Sequence, residues 1–150
     1  MPSSIEVYNP LNAYNSALSK LEKNGIRATK QRRVLAKLIF DKGKRHISAE
    51  NLFDEVKSEE RKISMATIYN TLKQFTALGL IREIVVDQNK SLYCTNNESH
   101  YHLYIEDEGK IVDIPTKNID LNIPSIPACL KLHNIDVIVR IRTLKDKDIN

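Results

Sequence analysis

Between Ser64 and Thr95 the hydrophobic pattern of the chain changes from helical to strand spacing, and this constrains the fold more than any other feature. Ser64 is a helix N-cap residue. Ile68, Leu72, Phe75 and Leu78 follow it at helical spacing, so one face of the segment is apolar. Gly79 suits the left-handed stop of such a helix. Ile84-Val85-Val86 and Ser91-Leu92-Tyr93-Cys94-Thr95 then flank the polar turn Asp87-Gln88-Asn89-Lys90, which is a hairpin pattern.

Three more helix signatures precede this segment. Asn9-Pro10 opens the first, with Leu11, Tyr14, Leu18 and Leu21 on roughly one face and Asn24-Gly25 at its end. Thr29 caps the second, whose buried stripe is Val34, Leu35, Leu38 and Ile39, and Gly43 breaks it. Ser48 caps the third, with Leu52, Phe53 and Val56 inward. Helices followed by a hairpin describe a winged helix-turn-helix, assigned to residues 1–93.

The polar face of the Ser64 helix carries Thr67, Tyr69, Asn70, Lys73 and Gln74. A recognition helix places such residues on base edges. Tyr69 suits a thymine methyl, and Asn70 or Gln74 suits adenine. Ser64 and Thr67, at the helix N-terminus, suit a phosphate. Arg27, Lys30, Arg32 and Arg33 suit phosphate contacts that add affinity and salt dependence. The plainer alternative for both groups is a solvated helix face.

Residues 94–150 read differently. Strands are expected over residues 102–106 and 110–114, around the turn Asp107-Glu108-Gly109. Residues 135–142 alternate as one further strand. Pro115, Pro124 and Pro127 allow only a short helix between them. The expected class is α+β, with the winged helix-turn-helix followed by a small α/β dimerisation domain. A unit this small is marginal alone, so a second copy is expected to complete its core, as a homodimer.

Charge follows the same division. Residues 1–93 carry 16 Lys/Arg against 10 Asp/Glu, and residues 94–150 carry 7 against 9. A basic first half suits a polyanion, and an acidic second half suits cations. No apolar run approaches the roughly 20 residues of a membrane span, and the first residues lack a secretory layout, so a cytoplasmic location is expected. Cys94 and Cys129 form no Cys-x-x-Cys pair, which excludes a four-thiolate zinc knot within one chain.

His100 and His102 are two residues apart, so on a strand both imidazoles share a face. Asp113, on the neighbouring expected strand, adds a carboxylate. Two imidazoles and a carboxylate suit Fe(II), Mn(II) or Zn(II). A histidine pair on a surface strand is the plainer alternative. Taken alone, His46 is a loop histidine and Cys94 a small buried residue.

In combination these segments resemble ferric-uptake-type (Fur) regulators. Gly25-Ile26-Arg27-Ala28-Thr29-Lys30-Gln31-Arg32 is similar to the opening motif of that family, and Ser64 to Leu72 to its recognition helix. His100-Tyr101-His102 and Gly109-Lys110-Ile111-Val112-Asp113 resemble its metal-sensing strands. Leu38 to His46 and residues 135–142 look closest to the haem-responsive iron-response-regulator branch (Irr). Ile105 and Glu108 stand where the wider family has the first two cysteines of a zinc site. Ser99 and Tyr101 stand at ligand positions of a second site, leaving Asp120 as its remnant.

The resemblance implies a regulatory metal site of His46, Cys94, His100, His102 and Asp113. Cys94 replaces a customary carboxylate, and a thiol there shifts preference toward Zn(II) or haem iron and away from Mn(II). The haem-responsive branch carries three consecutive histidines, where this chain has His100, Tyr101 and His102. Tyrosinate is a known axial ligand, so these three are the candidate haem contacts. The resemblance thus implies a metal- or haem-responsive repressor of iron or haem homeostasis. Its expected DNA is a double-stranded, AT-rich inverted repeat. A peroxide-sensing regulator using the same pocket is the second reading. The third, from another class, is a small metal-dependent hydrolase, for which the sequence offers no separate general base.

Overall fold

The computed structural model describes residues 9–148. They divide into two compact units, one ending at Asn97 and the other starting at Glu98.

Four helices and a small sheet make the first unit. Helix α1 spans Pro10–Lys23, α2 Lys30–Phe40, α3 Ala49–Ser58 and α4 Met65–Ala77. Asn9, Thr29, Ser48 and Ser64 each accept a hydrogen bond from a backbone N–H of the first turn, the capping their side chains are suited to. Such a cap stabilises a helix by about 1 kcal/mol. Gly79 ends α4 at φ 71°, and Leu80 N–H closes back onto the Phe75 carbonyl. The apolar stripes meet in one core in which Leu21, Leu35, Ile39, Leu52, Ile68, Leu72 and Phe75 are fully buried. The Phe40 ring stacks on Phe75 at 6.2 Å. Leu11, expected on the inner stripe of α1, is 64% exposed; the buried residues of α1 begin only at Ala17, beyond its first turn.

The sheet of this unit has the order β1-β3-β2, with β1 at His46–Ile47, β2 at Arg82–Asp87 and β3 at Lys90–Cys94. Asp87 pairs with Lys90 across a two-residue turn, so the hairpin read from the sequence is a tight wing. Helices α3 and α4 with this wing form the winged helix-turn-helix. The loop placed around His46 is instead a short third strand. A two-residue strand has no periodicity to read, so only its pairing with β3 reveals it. Arg45 holds the approach to it: its backbone N–H donates to Thr95 Oγ1 at 2.9 Å, and its guanidinium to Glu55 at 2.7 Å.

The second unit is built on a sheet of order β5-β4-β6. β4 spans His100–Ile105 and pairs antiparallel with β5, Lys110–Pro115. β6, Ile138–Ile141, lies parallel to β4 on its other edge. The strand expected over residues 135–142 is therefore shorter. Alternation marks which side chains share a face, whereas a ladder runs only where the partner strand pairs, here from His102 opposite Ile138 to Ile105 opposite Ile141. The segment 116–137 holds one 3-10 turn, Thr116–Asn118, and no longer helix. Among the described residues of this unit, Tyr104 is the single buried hydrophobic side chain. No described helix is long and apolar enough to cross a membrane.

Candidate metal centre and nucleic-acid interface

Strand alternation gathers three ligand-type groups in the second unit. Successive side chains of β4 point to opposite faces, so His100 and His102 share the buried face. Asp113 lies directly across from His102 on β5. The two Nε2 atoms are 2.9 Å apart, and Asp113 Oδ1 is 3.4 Å from His100 Nε2 and 3.3 Å from His102 Nε2. Both imidazoles are almost wholly buried, and Asp113 is half-buried.

The tautomer of His100 follows from its other contact. Its Nδ1 is 2.6 Å from the Glu98 carbonyl oxygen, which can only accept, so Nδ1 carries the proton and donates. In the neutral ring Nε2 is then a lone pair, aimed at His102 and Asp113. Metal-bound histidines are held in this way by a backbone acceptor on the second nitrogen. Two imidazole nitrogens and a carboxylate oxygen converging on one buried point fit a divalent cation in donor type and arrangement.

Tyr101 does not join them. It lies between the two histidines on β4 and projects from the opposite face, where it is half-buried. The group His100, Tyr101 and His102 considered for haem is thus split across the sheet by the two-residue period of a strand.

The first unit brings together His46 and Cys94. They are direct partners in the β1–β3 register, which puts their side chains on one face at neighbouring positions. Cys94 is completely buried and His46 half-buried. Cys129 is exposed.

The outer face of α4 holds the candidate DNA contacts. Ser64 Oγ accepts from the Thr67 N–H at 3.2 Å and lies 2.9 Å from Thr67 Oγ1, so both hydroxyls sit at the helix start. Asn70 and Lys73 are exposed, as are Arg27 and Lys30. Tyr69 is 47% exposed, and its phenol donates to Glu50 Oε1 on α3 at 2.8 Å. Arg32 turns partly inward: Nε donates to Gln74 Oε1 at 3.1 Å and Nη1 to the Arg27 carbonyl at 2.6 Å. That pairing occupies the Gln74 oxygen and braces α2 against α4. Arg33 donates to the Ala28 carbonyl at 3.0 Å.

Glu50 joins these residues although nothing in the sequence marks it. An acidic side chain in the first turn of α3 carries no composition signal. Its partner lies 19 residues away, across the turn between α3 and α4. Its own backbone N–H, in the first turn of α3, and then the Tyr69 hydroxyl hold the Glu50 carboxyl below the usual range. Accepting that hydrogen bond, Glu50 raises the Tyr69 phenol in turn.

The profile of the ferric uptake regulator family matches residues 23–140 of this chain. The chain belongs to the ferric uptake regulator family. A relative in that family, the peroxide-responsive repressor PerR of Staphylococcus aureus (strain Mu50 / ATCC 700699), is 30% identical over 110 residues, covering 73% of this chain and 74% of its own. Among solved structures, the ferric uptake regulator from Pseudomonas aeruginosa with manganese superposes with a TM-score of 0.66 at 21% identity, over 85% of this chain and 97% of that one. A zinc-bound manganese uptake regulator superposes with a TM-score of 0.61 at 25% identity, over 85% and 98%. Members of the ferric uptake regulator family are transcription regulators, not enzymes, which removes the hydrolase alternative.

Proposed function

We propose that this protein is a metal-responsive, DNA-binding transcription repressor that works as a homodimer. The observation that carries the reading is the convergence of His100 Nε2, His102 Nε2 and Asp113 Oδ1, in a chain whose other unit exposes the polar face of a helix-turn-helix. We assign His46 and Cys94 of the first unit to the same ion, giving five ligands in all. A bound divalent ion supplies positive charge and directed coordination bonds. His100 presents its lone pair because Glu98 holds the other nitrogen protonated, and Asp113 offsets the charge. Ligands drawn from both units tie them together, so that two recognition helices of a dimer meet DNA at a set spacing. On the DNA, Ser64 and Thr67 hold phosphate and Tyr69 and Asn70 meet base edges, while Arg27, Lys30, Arg32 and Lys73 add charge.

A divalent ion, rather than haem, is the occupant we favour, because Tyr101 faces away from His100 and His102. The Cys94 thiolate would favour zinc or iron over manganese. The test is fluorescence anisotropy of chelator-treated protein on an AT-rich inverted-repeat duplex at fixed salt. Mn(II), Zn(II), anaerobic Fe(II) and haem are added in turn. Tighter binding with a divalent ion, weakened in His46→Ala while the dimer persists, is the expected result. Binding indifferent to every addition would overturn the reading.

A peroxide-responsive role is the second reading, favoured by the 30% identity to PerR. It expects mild peroxide to leave one added oxygen atom on a peptide containing His46, His100 or His102, or on Cys94, with loss of DNA binding. Unmodified peptides after loss of binding would reject it.

A further inference from the structure

We propose that Glu50 is a positioning residue that sets which bases Tyr69 accepts on DNA. The inference rests on the DNA-binding role assigned to α4. Glu50 sits in the first turn of α3 and Tyr69 near the start of α4, and the phenol donates to Glu50 Oε1 at 2.8 Å.

Two consequences follow from that bond. It selects one rotamer of an exposed ring that would otherwise populate several. It also commits the phenol's only proton, so the Tyr69 oxygen meets a base as an acceptor alone. In the major groove an acceptor suits the amino groups of adenine or cytosine and is repelled by O6 and N7 of guanine. The ring itself is left to lie on a thymine methyl. Tyr69 with a free proton would accept either kind of base edge, so Glu50 narrows its choice.

Magnitude decides where this matters. Both partners are exposed in the free protein, where such a contact contributes little to stability. On DNA the bases exclude water from the pair, and a charge-assisted bond strengthens in that setting. The bare carboxylate also repels phosphates, so Glu50 weakens binding to DNA in general while sharpening its choice of sequence.

The two effects separate by substitution. Glu50→Ala and Glu50→Gln both remove the charge, but only Glu50→Gln keeps an oxygen that accepts the Tyr69 proton. The probe is an AT-rich inverted-repeat duplex selected from random-sequence DNA by the full-length, metal-loaded protein. Variants of this duplex carry uracil for thymine, or guanine for adenine, at the bases facing α4. Discrimination is the affinity ratio between parent and variant duplexes, with melting temperature recorded alongside.

Glu50→Ala is expected to lose about fivefold of that discrimination, one hydrogen bond's worth, with overall affinity for DNA unchanged or higher. Glu50→Gln is expected to retain it. Tyr69→Phe should lose it too, and adding Glu50→Ala to Tyr69→Phe should cost nothing more. Equal discrimination in wild type and Glu50→Ala, or additive losses in the double variant, would overturn the proposal. Failure of the wild type to select any duplex would instead overturn the DNA-binding reading itself, and this inference with it.

Discussion

At His100 a single carbonyl decides what the side chain can do. Glu98 accepts from Nδ1 at 2.6 Å, so in the neutral ring the lone pair is on Nε2, beside His102 and Asp113. Asp113→Asn keeps the shape of this cluster but removes its only anion. We expect it to weaken Zn(II) affinity by at least the roughly tenfold that loss of an outer partner costs a metal site, measured by competition with a chromophoric chelator. Tyr101→Phe, on the other face of β4, should leave that affinity unchanged. Equal affinities for wild type and Asp113→Asn would remove Asp113 from the ligand set. The histidine pair and Asp113 were legible in the sequence because strand alternation is a two-residue rule that spacing obeys. The Glu98 contact and the Glu50–Tyr69 bond were not, since neither a carbonyl's direction nor a contact across a helix turn leaves a mark in side-chain order.

Helix ends were the most legible elements, and their energetics are local. Asn9, Thr29, Ser48 and Ser64 are cap residues by type and position in the sequence, and each accepts a first-turn N–H. Ser64→Ala should therefore lower stability by about 1 kcal/mol in urea unfolding, and weaken DNA binding further through loss of the phosphate contact we propose for it. A variant as stable as wild type would deny Ser64 its capping role. The corner joining α2 to β1 and α3 was less legible, because β1 has two residues and its support comes from ion pairs. There burial acts to raise the Glu55 carboxyl, but Arg45 and Lys42, each 2.7 Å away, outweigh it and hold Glu55 below the usual range. A carboxyl lowered on folding adds stability above its unfolded pKa of about 4.3, and that stability fades as pH falls through the lower folded value. Glu55→Gln should thus be less stable than wild type at neutral pH by about 1–2 kcal/mol. The gap should close on acidification below about pH 4. A gap independent of pH would mean that Glu55 contributes by packing instead of charge.

For the molecule as a whole, the two units differ in how far each satisfies itself. The first buries a continuous core from all four helices. The second buries Tyr104 alone among its described hydrophobic residues, yet exposes Val112, Leu121, Ile123, Ile126, Leu130, Leu132, Ile141 and Leu144. Eight of the eleven large hydrophobics exposed among the described residues therefore lie in the smaller unit. A segment of about 50 residues with so little buried surface cannot offset its own ordering entropy. Alternating residues at 135–142 could be read from sequence, but no pattern within one chain reveals what covers them. We attribute the cover to a second copy, since one isologous contact hides the same side chains on both. Replacing Ile123 and Leu132 together by Glu should convert dimer to monomer in sedimentation velocity at micromolar protein. The same change should reduce affinity for an inverted repeat toward that for a single half-site, because only a dimer meets both halves at once. The first unit, with its own core, should keep its helical circular dichroism. A variant that stays dimeric would place the dimer contact elsewhere, and a wild type that sediments as a monomer would leave those exposed side chains to another partner.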